Sequence, residues 1–220
     1  MHFEFLVEDQ SGKVMLEHLM PKVISDAHTF NIHAYKGIGR LPKNLNPKAD
    51  PDKRILLDQL PRLLGGYGKA FASYPVDYHA AVIVVRDLDN RNLKEFTKEL
   101  LEVAKKANPA PRTGLCIAAE EGQAWFLGDI AAVKKAYPRA KPAVLAAYEN
   151  DSICGTWEKL ADARYAGGAA SLSGQGYQVV GQEKSCWAGK ITPHMDVALN
   201  QSPSFGRFCT TLKKFAGTDV

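Results

Sequence analysis

The feature that most constrains the fold is a run of six apolar residues, AAVIVV, at positions 80–85. A strand that is apolar on both faces is typical of the middle of a parallel sheet covered by helices on both sides. The segment NLKEFTKELLEVAKKA that follows has a strong helical period and ends before Pro109, which predicts a helix over residues 92–107. A buried strand followed by an amphipathic helix is part of a βαβ unit, so the sequence predicts an α/β fold.

Strand-like and helix-like segments alternate along the first 130 residues. Further strands are predicted at HFEFLVED (2–9), TFNIHAYKG (29–37) and GLCIAAEE (114–121). Helices are predicted at KVMLEHLMPKVI (13–24), over residues 53–72 with an interruption near Pro61 and Gly65, and at IAAVKKAY (130–137), which Asp129 caps. This order predicts a Rossmann-like, mostly parallel sheet with helices on both faces.

The pattern weakens beyond about residue 150. The Gly- and Ser-rich stretch at 165–185 predicts a loop or flexible connection, and PSFGRFCTTLKKF (203–215) predicts a short helix. Basic and acidic residues balance over residues 1–130, so the whole formal net charge of +4 lies in residues 131–220. We therefore predict a core over residues 1–130 and a smaller basic region over residues 131–220 that packs on it.

The four cysteines and the N-terminus bear on the cellular compartment. The cysteines have no CxxC spacing, which argues against a zinc knuckle and a disulfide-rich secreted scaffold. The first apolar run contains acidic residues, so neither a signal peptide nor a membrane span is expected. These features predict a cytoplasmic protein with reduced thiols and no membrane partner. The chain also lacks the GxxxxGK[ST] and GxSxG motifs, so neither a P-loop nor a serine hydrolase is expected.

Acidic residues follow three of the predicted strands. Glu8 closes the first strand, Asp87 and Asp89 follow the third, and Glu120 and Glu121 close the fourth. Ligands bind at the carboxyl ends of parallel strands, so we expect these side chains to converge at one edge of the sheet. Converging carboxylates repel one another, and a bound cation would remove that repulsion. A donor set made only of oxygens favours Mg²⁺ or Mn²⁺ over zinc.

The Asp-x-Asp spacing suggests what this cation site would do. In extended backbone the side chains of Asp87 and Asp89 point to the same side, so both could face one cation. One or two such ions would polarise a phosphodiester, activate a water molecule and stabilise the leaving oxygen. Glu8 is either another ligand or a general base, and the sequence does not choose between them. An acid after a strand also commonly caps the next helix, so only the combination of acids carries this hypothesis.

These motifs resemble the Toprim fold, which occurs in topoisomerases, primases, recombination proteins and OLD-type nucleases. More closely, the chain resembles the domain-of-unknown-function 4276 family, Toprim-like bacterial proteins often encoded beside an ATPase in defence or mobile gene clusters. The segments that carry the resemblance are FLVED (5–9), VVRDLDN (84–90), AEEGQAWFLGD (119–129) and NQSPSFGRF (200–208).

The resemblance implies roles for the acids at the strand ends. Glu8, Asp87 and Asp89 would be the catalytic, metal-binding residues, with Glu120 or Glu121 as a further ligand. It also implies nucleic acid as the substrate and a separately encoded ATPase as a partner. Two positions depart from the family pattern. Asp9 stands where many Toprim domains have glycine. Gln123 stands in a segment where the family often has glutamate.

Basic residues supply candidates for substrate binding. Lys36 and Arg40 belong to a Gly-containing turn after the second strand and could contact a phosphate, although such turns more often only connect elements. Arg86 could contact substrate or form a structural ion pair with the acids. Farther along, a group of basic and aromatic residues either faces a polyanion or forms an ordinary solvated surface: Lys184, Trp187, Lys190, His194 and Arg207.

Taken together, the sequence predicts a metal-dependent phosphodiester hydrolase, specifically a nuclease that acts on DNA or RNA with an ATPase partner in bacterial defence. Two alternatives stay open at this point. One is a non-catalytic regulatory or binding subunit that keeps the acids as a metal or nucleotide site. The other is a metal-dependent phosphohydrolase of small nucleotides. A homo-oligomer is compatible with all three.

Overall fold

The sheet has the parallel arrangement that the sequence predicts. The computed structural model describes residues 1–37, 39–42, 51–88, 91–119, 121–152 and 155–217. Its strands are β1 (His2–Val7), β2 (Thr29–Ala34), β3 (Ala80–Asp87) and β4 (Thr113–Ala118). They form one sheet in the order β2–β1–β3–β4, and every neighbouring pair is parallel. The prediction of an α/β fold with a mostly parallel sheet is confirmed.

Helices cover both faces of the sheet. They are α1 (Gln10–Val23), α2 (Leu56–Ala72), α3 (Leu93–Lys106), α4 (Gln123–Leu127), α5 (Ile130–Ala136), α6 (Pro142–Ala146), α7 (Thr156–Arg164), α8 (Gly168–Ser173), α9 (Tyr177–Ile191) and α10 (Pro203–Ala216). Alternate side chains of β3 enter two separate cores. Ile83 and Val85 pack with α1 and the helices from α4 to α10, whereas Val82 and Val84 pack with α2 and α3.

Side-chain caps start α1, α3 and α5, and of these the cap at Asp129 is the one that the sequence predicts. The Asp9 carboxylate accepts a hydrogen bond from the Gly12 N–H at 2.8 Å and begins α1 directly after β1. Asn92 caps α3 through the N–H groups of Lys94 and Glu95. Asp129 caps α5 through the Ala132 N–H at 2.9 Å. Each cap satisfies backbone donors that a helix N-terminus leaves unbonded.

Two predictions about helices are wrong. The predicted interruption near Pro61 and Gly65 is absent, because α2 runs unbroken from Leu56 to Ala72. Its inward face buries Leu56, Leu57, Leu60 and Leu64. Burying these side chains outweighs the cost of a proline inside a helix, which is about 3 kcal/mol.

The second error concerns residues 165–185, which form α8 and most of α9 rather than a loop. Gly167, Gly168 and Gly176 have positive φ angles and lie at the ends of these helices. The sequence predicted a flexible connection where the structure has these helix boundaries. Packing of α9 against α1 buries Trp187, Ala188 and Ile191, and this tertiary contact stabilises a helix of weak propensity.

One hydrophobic core joins the sheet to the C-terminal helices. It contains Phe5 of β1 and Leu16 of α1, together with Trp125, Trp187 and Phe208 from the helices beyond β4. The boundary at residue 130 stays a prediction, but side chains from both of its sides meet in this core. Within the described part of the chain, no helix is both long and apolar enough to cross a membrane. Cys116, Cys186 and Cys209 are free thiols.

The contact between α2 and the loop before β4 depends on a glycine. A Cβ atom on Gly68 would lie 1.7 Å from the Pro109 carbonyl oxygen, whereas a Cβ on Gly66 would meet nothing within 4 Å. We expect Gly68→Ala to lower the free energy of unfolding by about 2 kcal/mol through forced displacement of backbone. Gly66→Ala, the matched control on the same helix, should raise it by about 0.5–1 kcal/mol. Urea unfolding of both variants checks this. If Gly68→Ala and Gly66→Ala changed the free energy of unfolding equally, the close approach of Gly68 to Pro109 would be contradicted.

Candidate functional site

Glu8 and Asp87 meet at the carboxyl edge of the sheet. Glu8 directly follows β1, and Asp87 is the last residue of the neighbouring strand β3. The two strands are paired as far as Val7 and Val85. Both line one small pocket at the edge where open parallel sheets bind ligands. The Asp87 carboxylate accepts a hydrogen bond of 2.9 Å from the Gly122 N–H, at the start of α4. The predicted convergence of these two acids is therefore present in the fold.

The surroundings of Asp87 make its negative charge costly. Burial raises the pKa of Asp87 well above its usual value, and the nearby Glu8 carboxylate raises it further. Asp9 and Glu121 act in the same direction, whereas the Lys184 ammonium opposes them. Like charges in a desolvated site repel strongly, so the site favours either a proton or a cation at Asp87.

Lys184 of α9 places a positive charge beside the acids. Its Nζ lies 3.4 Å from Glu121 Oε1, and its side chain is only 16 % exposed. Burial lowers the pKa of Lys184, but Glu121, Asp87 and Asp9 outweigh this, so that the pKa is raised. Three carboxylates act on Lys184, and Glu8 is a fourth acid that acts on Asp87, so the acids outnumber Lys184 and Arg86, the basic residue that lines the pocket.

Glu121 contacts α7 through one carboxylate oxygen and Lys184 through the other. Its Oε2 accepts hydrogen bonds from the Trp157 N–H at 3.2 Å and from the Thr156 hydroxyl at 3.3 Å, both in the first turn of α7. A carboxylate at a helix N-terminus is stabilised by the backbone N–H groups there. The prediction that Glu121 belongs to the acidic group at the strand ends agrees with this position, although its oxygens are engaged by the protein itself.

The pocket between these acids is small and has oxygen donors. Its volume is about 30 Å³, room for one or two water molecules or a small cation rather than a nucleotide. Gln123, 3 % exposed, lines it, and within the described ranges its side-chain carbonyl Oε1 has no hydrogen-bond partner. Two carboxylates and an amide carbonyl are a donor set that fits Mg²⁺ or Mn²⁺.

The described residues do not by themselves complete a metal site. Among them, no group of three or more Asp, Glu, His or Cys side chains has the spacing to hold a metal ion. Asp89 and Glu120, which the sequence predicts as ligands, lie outside the described residues. The structure thus brings together Glu8 and Asp87, places Glu121 beside Lys184, and leaves Asp89 and Glu120 as predictions.

The predicted substrate-binding residues occupy different environments. The Gly37 N–H donates to the Glu8 carbonyl at 3.0 Å, so the turn with Lys36 lies beside the acids, and the Lys36 side chain is exposed. Arg40 is exposed too, with its backbone N–H bonded to Asp58. Both remain predicted phosphate contacts.

Arg86 lies in the interior. It is 1 % exposed, its Nε donates to the Asp87 carbonyl, and its guanidinium stacks 3.9 Å from the centre of the Phe96 ring. This placement favours a structural role for Arg86 over substrate contact.

The predicted polyanion-facing surface does not form as a unit. Trp187 is completely buried and Lys184 points into the acidic site, so neither can contribute to an exposed patch. The sequence holds a signal that could have found this. Lys184, Trp187, Ala188 and Ile191 are spaced i, i+3, i+4 and i+7, which places them on one helical face. Because that helix face is buried, the Lys184 side chain at the end of the face points into the interior.

No family model, no curated protein and no solved structure matches this chain. The resemblance to the Toprim-like family therefore stays an interpretation of the motifs quoted above.

A second polar cluster lies on the sheet away from this edge. The Glu4 carboxylate, on β1, accepts hydrogen bonds from His33 Nε2 at 2.6 Å, His2 Nε2 at 2.9 Å, Asn31 Nδ2 at 3.0 Å and the Tyr67 hydroxyl at 3.4 Å. Burial raises the pKa of Glu4, but the bonds from His33, His2 and Asn31 outweigh it and lower the pKa to about 2. Glu4 is therefore a fully bonded, ionised residue.

This cluster predicts a specific pH dependence of stability. A carboxylate with a lowered pKa stabilises the fold above its unfolded pKa, near 4.5, and loses that effect as the pH falls toward 2. We expect Glu4→Gln to lower the free energy of unfolding by about 2 kcal/mol at pH 6, with the difference from wild type shrinking below pH 4.5. Urea unfolding across this pH range measures it. Exposed Glu17→Gln on α1 is the control, with an effect of about 0.5 kcal/mol or less. If the difference in the free energy of unfolding between the wild type and Glu4→Gln did not change with pH, the lowered pKa of Glu4 would be refuted.

Proposed function

We propose that this protein is a metal-dependent phosphodiester hydrolase that acts on nucleic acid, with its active site at the carboxyl edge of the sheet. The observation that carries the proposal is the placement of Glu8 and Asp87 side by side in one small pocket. The position is where parallel α/β sheets bind ligands, and the donors are those that Mg²⁺ prefers. The motif resemblance to Toprim-like proteins supports nucleic acid as the substrate class.

Glu8 and Asp87 would hold the cation, with the Gln123 side-chain carbonyl as a neutral donor and Asp89 as a further predicted ligand. A divalent ion bound there would neutralise charge on the phosphodiester and activate a water molecule. The chain's own residues have complementary tasks. The Gly122 N–H fixes the orientation of Asp87. Before a cation binds, burial lets the Asp87 carboxyl hold a proton at a higher pH than an exposed aspartate would, and the cation would displace that proton.

Lys184 would support this chemistry in two ways. Its ammonium offsets part of the repulsion among the carboxylates, so that they can stay close together before a cation binds. Paired with Glu121, it also keeps a positive charge at the side of the pocket. Lys36, exposed beside Glu8, is placed to contact a neighbouring phosphate. Action together with an ATPase stays a prediction from the resemblance.

A second function is favoured by one observation. The internal Lys184–Glu121 ion pair supplies a cation to the acidic site without any metal. A protein whose carboxylates are balanced in this way could serve as a non-catalytic binding or regulatory subunit with a metal or nucleotide site. This candidate predicts ligand binding without cleavage, so the same experiment separates the two functions.

The test incubates the purified protein with single- and double-stranded DNA and RNA in Mg²⁺ or Mn²⁺, with EDTA as the control. A parallel panel of mononucleotides and dinucleotides distinguishes a nuclease from a phosphohydrolase of small substrates. We expect polymer cleavage that chelation abolishes. If no substrate is cleaved but Mn²⁺ binds to the wild type and not to Glu8→Gln, the binding-subunit function is favoured. Absence of both cleavage and metal binding would overturn the proposal.

A further inference from the structure

The edge strand β2 has one face that no helix of the described residues covers. On this face, Thr29, Asn31 and His33 are exposed, whereas the alternate residues of the same strand pack toward the core. Helix α2 covers the neighbouring strands on this side and stops short of β2, with Tyr67 reaching only as far as Glu4. A polar shelf about one strand wide therefore runs from the amino end of β2 toward Glu8.

A line of aromatic rings borders this shelf. Successive ring centres are 5.6 Å apart for Tyr67 and Phe71, 5.5 Å for Phe71 and Tyr74, and 5.1 Å for Tyr74 and Tyr78. The line continues to His2, whose ring stacks on Tyr78 at 6.3 Å. Tyr74 and Tyr78 remain 36 % and 47 % exposed, so both rings can be reached by a ligand.

The shelf is also held rigid. The buried Glu4 carboxylate bonds to His33 and Tyr67 at once, and so fixes the strand side and the helix side relative to each other. The His33 side chain is nevertheless 44 % exposed, which leaves its ring face accessible. A preorganised aromatic surface binds with little loss of conformational entropy.

Positive charge accompanies the rings. Arg54 and Arg62 are exposed and close enough to Tyr35, at the end of β2, to oppose the rise that burial produces in its pKa. Lys36 follows at the carboxyl end, beside Glu8. Glu4 is the acid at the centre of the shelf, and its oxygens are already bonded. Exposed Asp26 and Asp77 lie near the amino end of the shelf, and Asp58, near its carboxyl end, accepts the bond from the Arg40 N–H. The basic side chains are therefore concentrated at the carboxyl end of the shelf, where the Arg54 guanidinium donates to the Ala34 carbonyl, and the accessible rings lie toward its amino end.

We propose that this surface, which we call the β2 shelf and define by His33, Tyr74, Tyr78, Arg54 and Arg62, binds single-stranded nucleic acid. Unpaired bases would stack on the tyrosine and histidine rings while phosphates contact the arginines. A duplex hides its base faces, so the shelf discriminates against double strands. The strand would run toward Lys36 and Glu8, and this direction rests on the proposed function. Binding itself does not.

The test measures the affinity of a fluorescein-labelled 12-nucleotide oligo-dT and oligo-U by anisotropy in EDTA, so that no metal is involved. We expect Tyr74→Ala/Tyr78→Ala to weaken binding at least about tenfold. Arg62→Gln should reduce the slope of log affinity against log salt concentration by about 0.7, the value for one lost phosphate contact on a single strand. Tyr177→Ala and Arg139→Gln, exposed positions on other parts of the surface, are matched controls and should change neither quantity.

The outcomes separate this proposal from the proposed function. Because affinity is measured in EDTA, oligonucleotide binding without cleavage in Mg²⁺ contradicts the proposed function and leaves the shelf proposal standing. The shelf proposal is overturned if the oligonucleotides do not bind, if a duplex of the same length binds more tightly, or if the control variants weaken binding as much as the shelf variants. Circular dichroism of each variant establishes that it is folded, and Arg62→Gln gives the decisive slope if the double tyrosine variant unfolds.

Discussion

Asp87→Asn is expected to reduce cation-dependent phosphodiester cleavage by about 1,000-fold, because the charge stabilisation that a bound metal supplies is worth several kcal/mol. The substitution preserves shape, and its amide oxygen can still accept the bond from the Gly122 N–H. Only the negative charge is removed. The comparison of initial cleavage rates in Mg²⁺ for the wild type and the variant measures the effect.

The same substitution should make the folded protein more stable in the absence of metal. Burial and the Glu8 carboxylate raise the pKa of Asp87, so ionised Asp87 destabilises the fold at neutral pH. A raised pKa means that wild-type stability falls as the pH rises above the unfolded pKa, and this fall should disappear in the variant. Lost activity with gained stability is typical of a residue kept for function.

Asp26→Asn is the matched control for this prediction. Asp26 is exposed in the turn before β2, at the opposite edge of the sheet, and the change is chemically identical. We expect cleavage and stability of this variant to equal those of the wild type. Full cleavage by Asp87→Asn, or equal losses in both variants, would show that the carboxyl edge is not the active site.

Trp187→Ala should lower the free energy of unfolding by about 3–5 kcal/mol, the usual cost of truncating a fully buried aromatic side chain. Trp187 is 0 % exposed on α9, the helix that packs against α1 and carries Lys184. Because one core joins these helices to the sheet, we also expect a single unfolding transition with a lower midpoint rather than separate melting of the C-terminal part. Guanidinium unfolding followed by circular dichroism measures both.

Tyr177→Ala provides the control on the same helix. Tyr177 is 97 % exposed, so its removal should change stability by about 0.5 kcal/mol or less. If Trp187→Ala were equally mild, or if it melted only part of the helical signal, the C-terminal helices would not share a core with the sheet as described.

The sheet and its acids were predictable because local sequence determines them. Continuous apolar character located β3, and the acids after the strands followed from the direction of a parallel sheet. Asp129 as a helix cap was equally readable, since a cap acts on its own neighbours.

The residues that complete the site were not predictable in the same way. Lys184 enters from α9, whose glycines and serines resemble a loop until packing against α1 is known. Glu121 is turned by the first residues of α7, far along the chain. In the sequence, Gln123 stands only as a departure from a family that often has glutamate in this segment, yet in the fold it lines the pocket. Such roles depend on contacts between distant segments, which periodicity does not encode.

The most direct test of a cation site between the strand ends is anomalous diffraction from a crystal soaked in Mn²⁺. We expect one strong peak within bonding distance of the Glu8 and Asp87 carboxylates, and we expect Glu8→Gln to remove it. A soaked crystal with no peak there, and with Lys184 still lying against the carboxylates, would contradict this expectation.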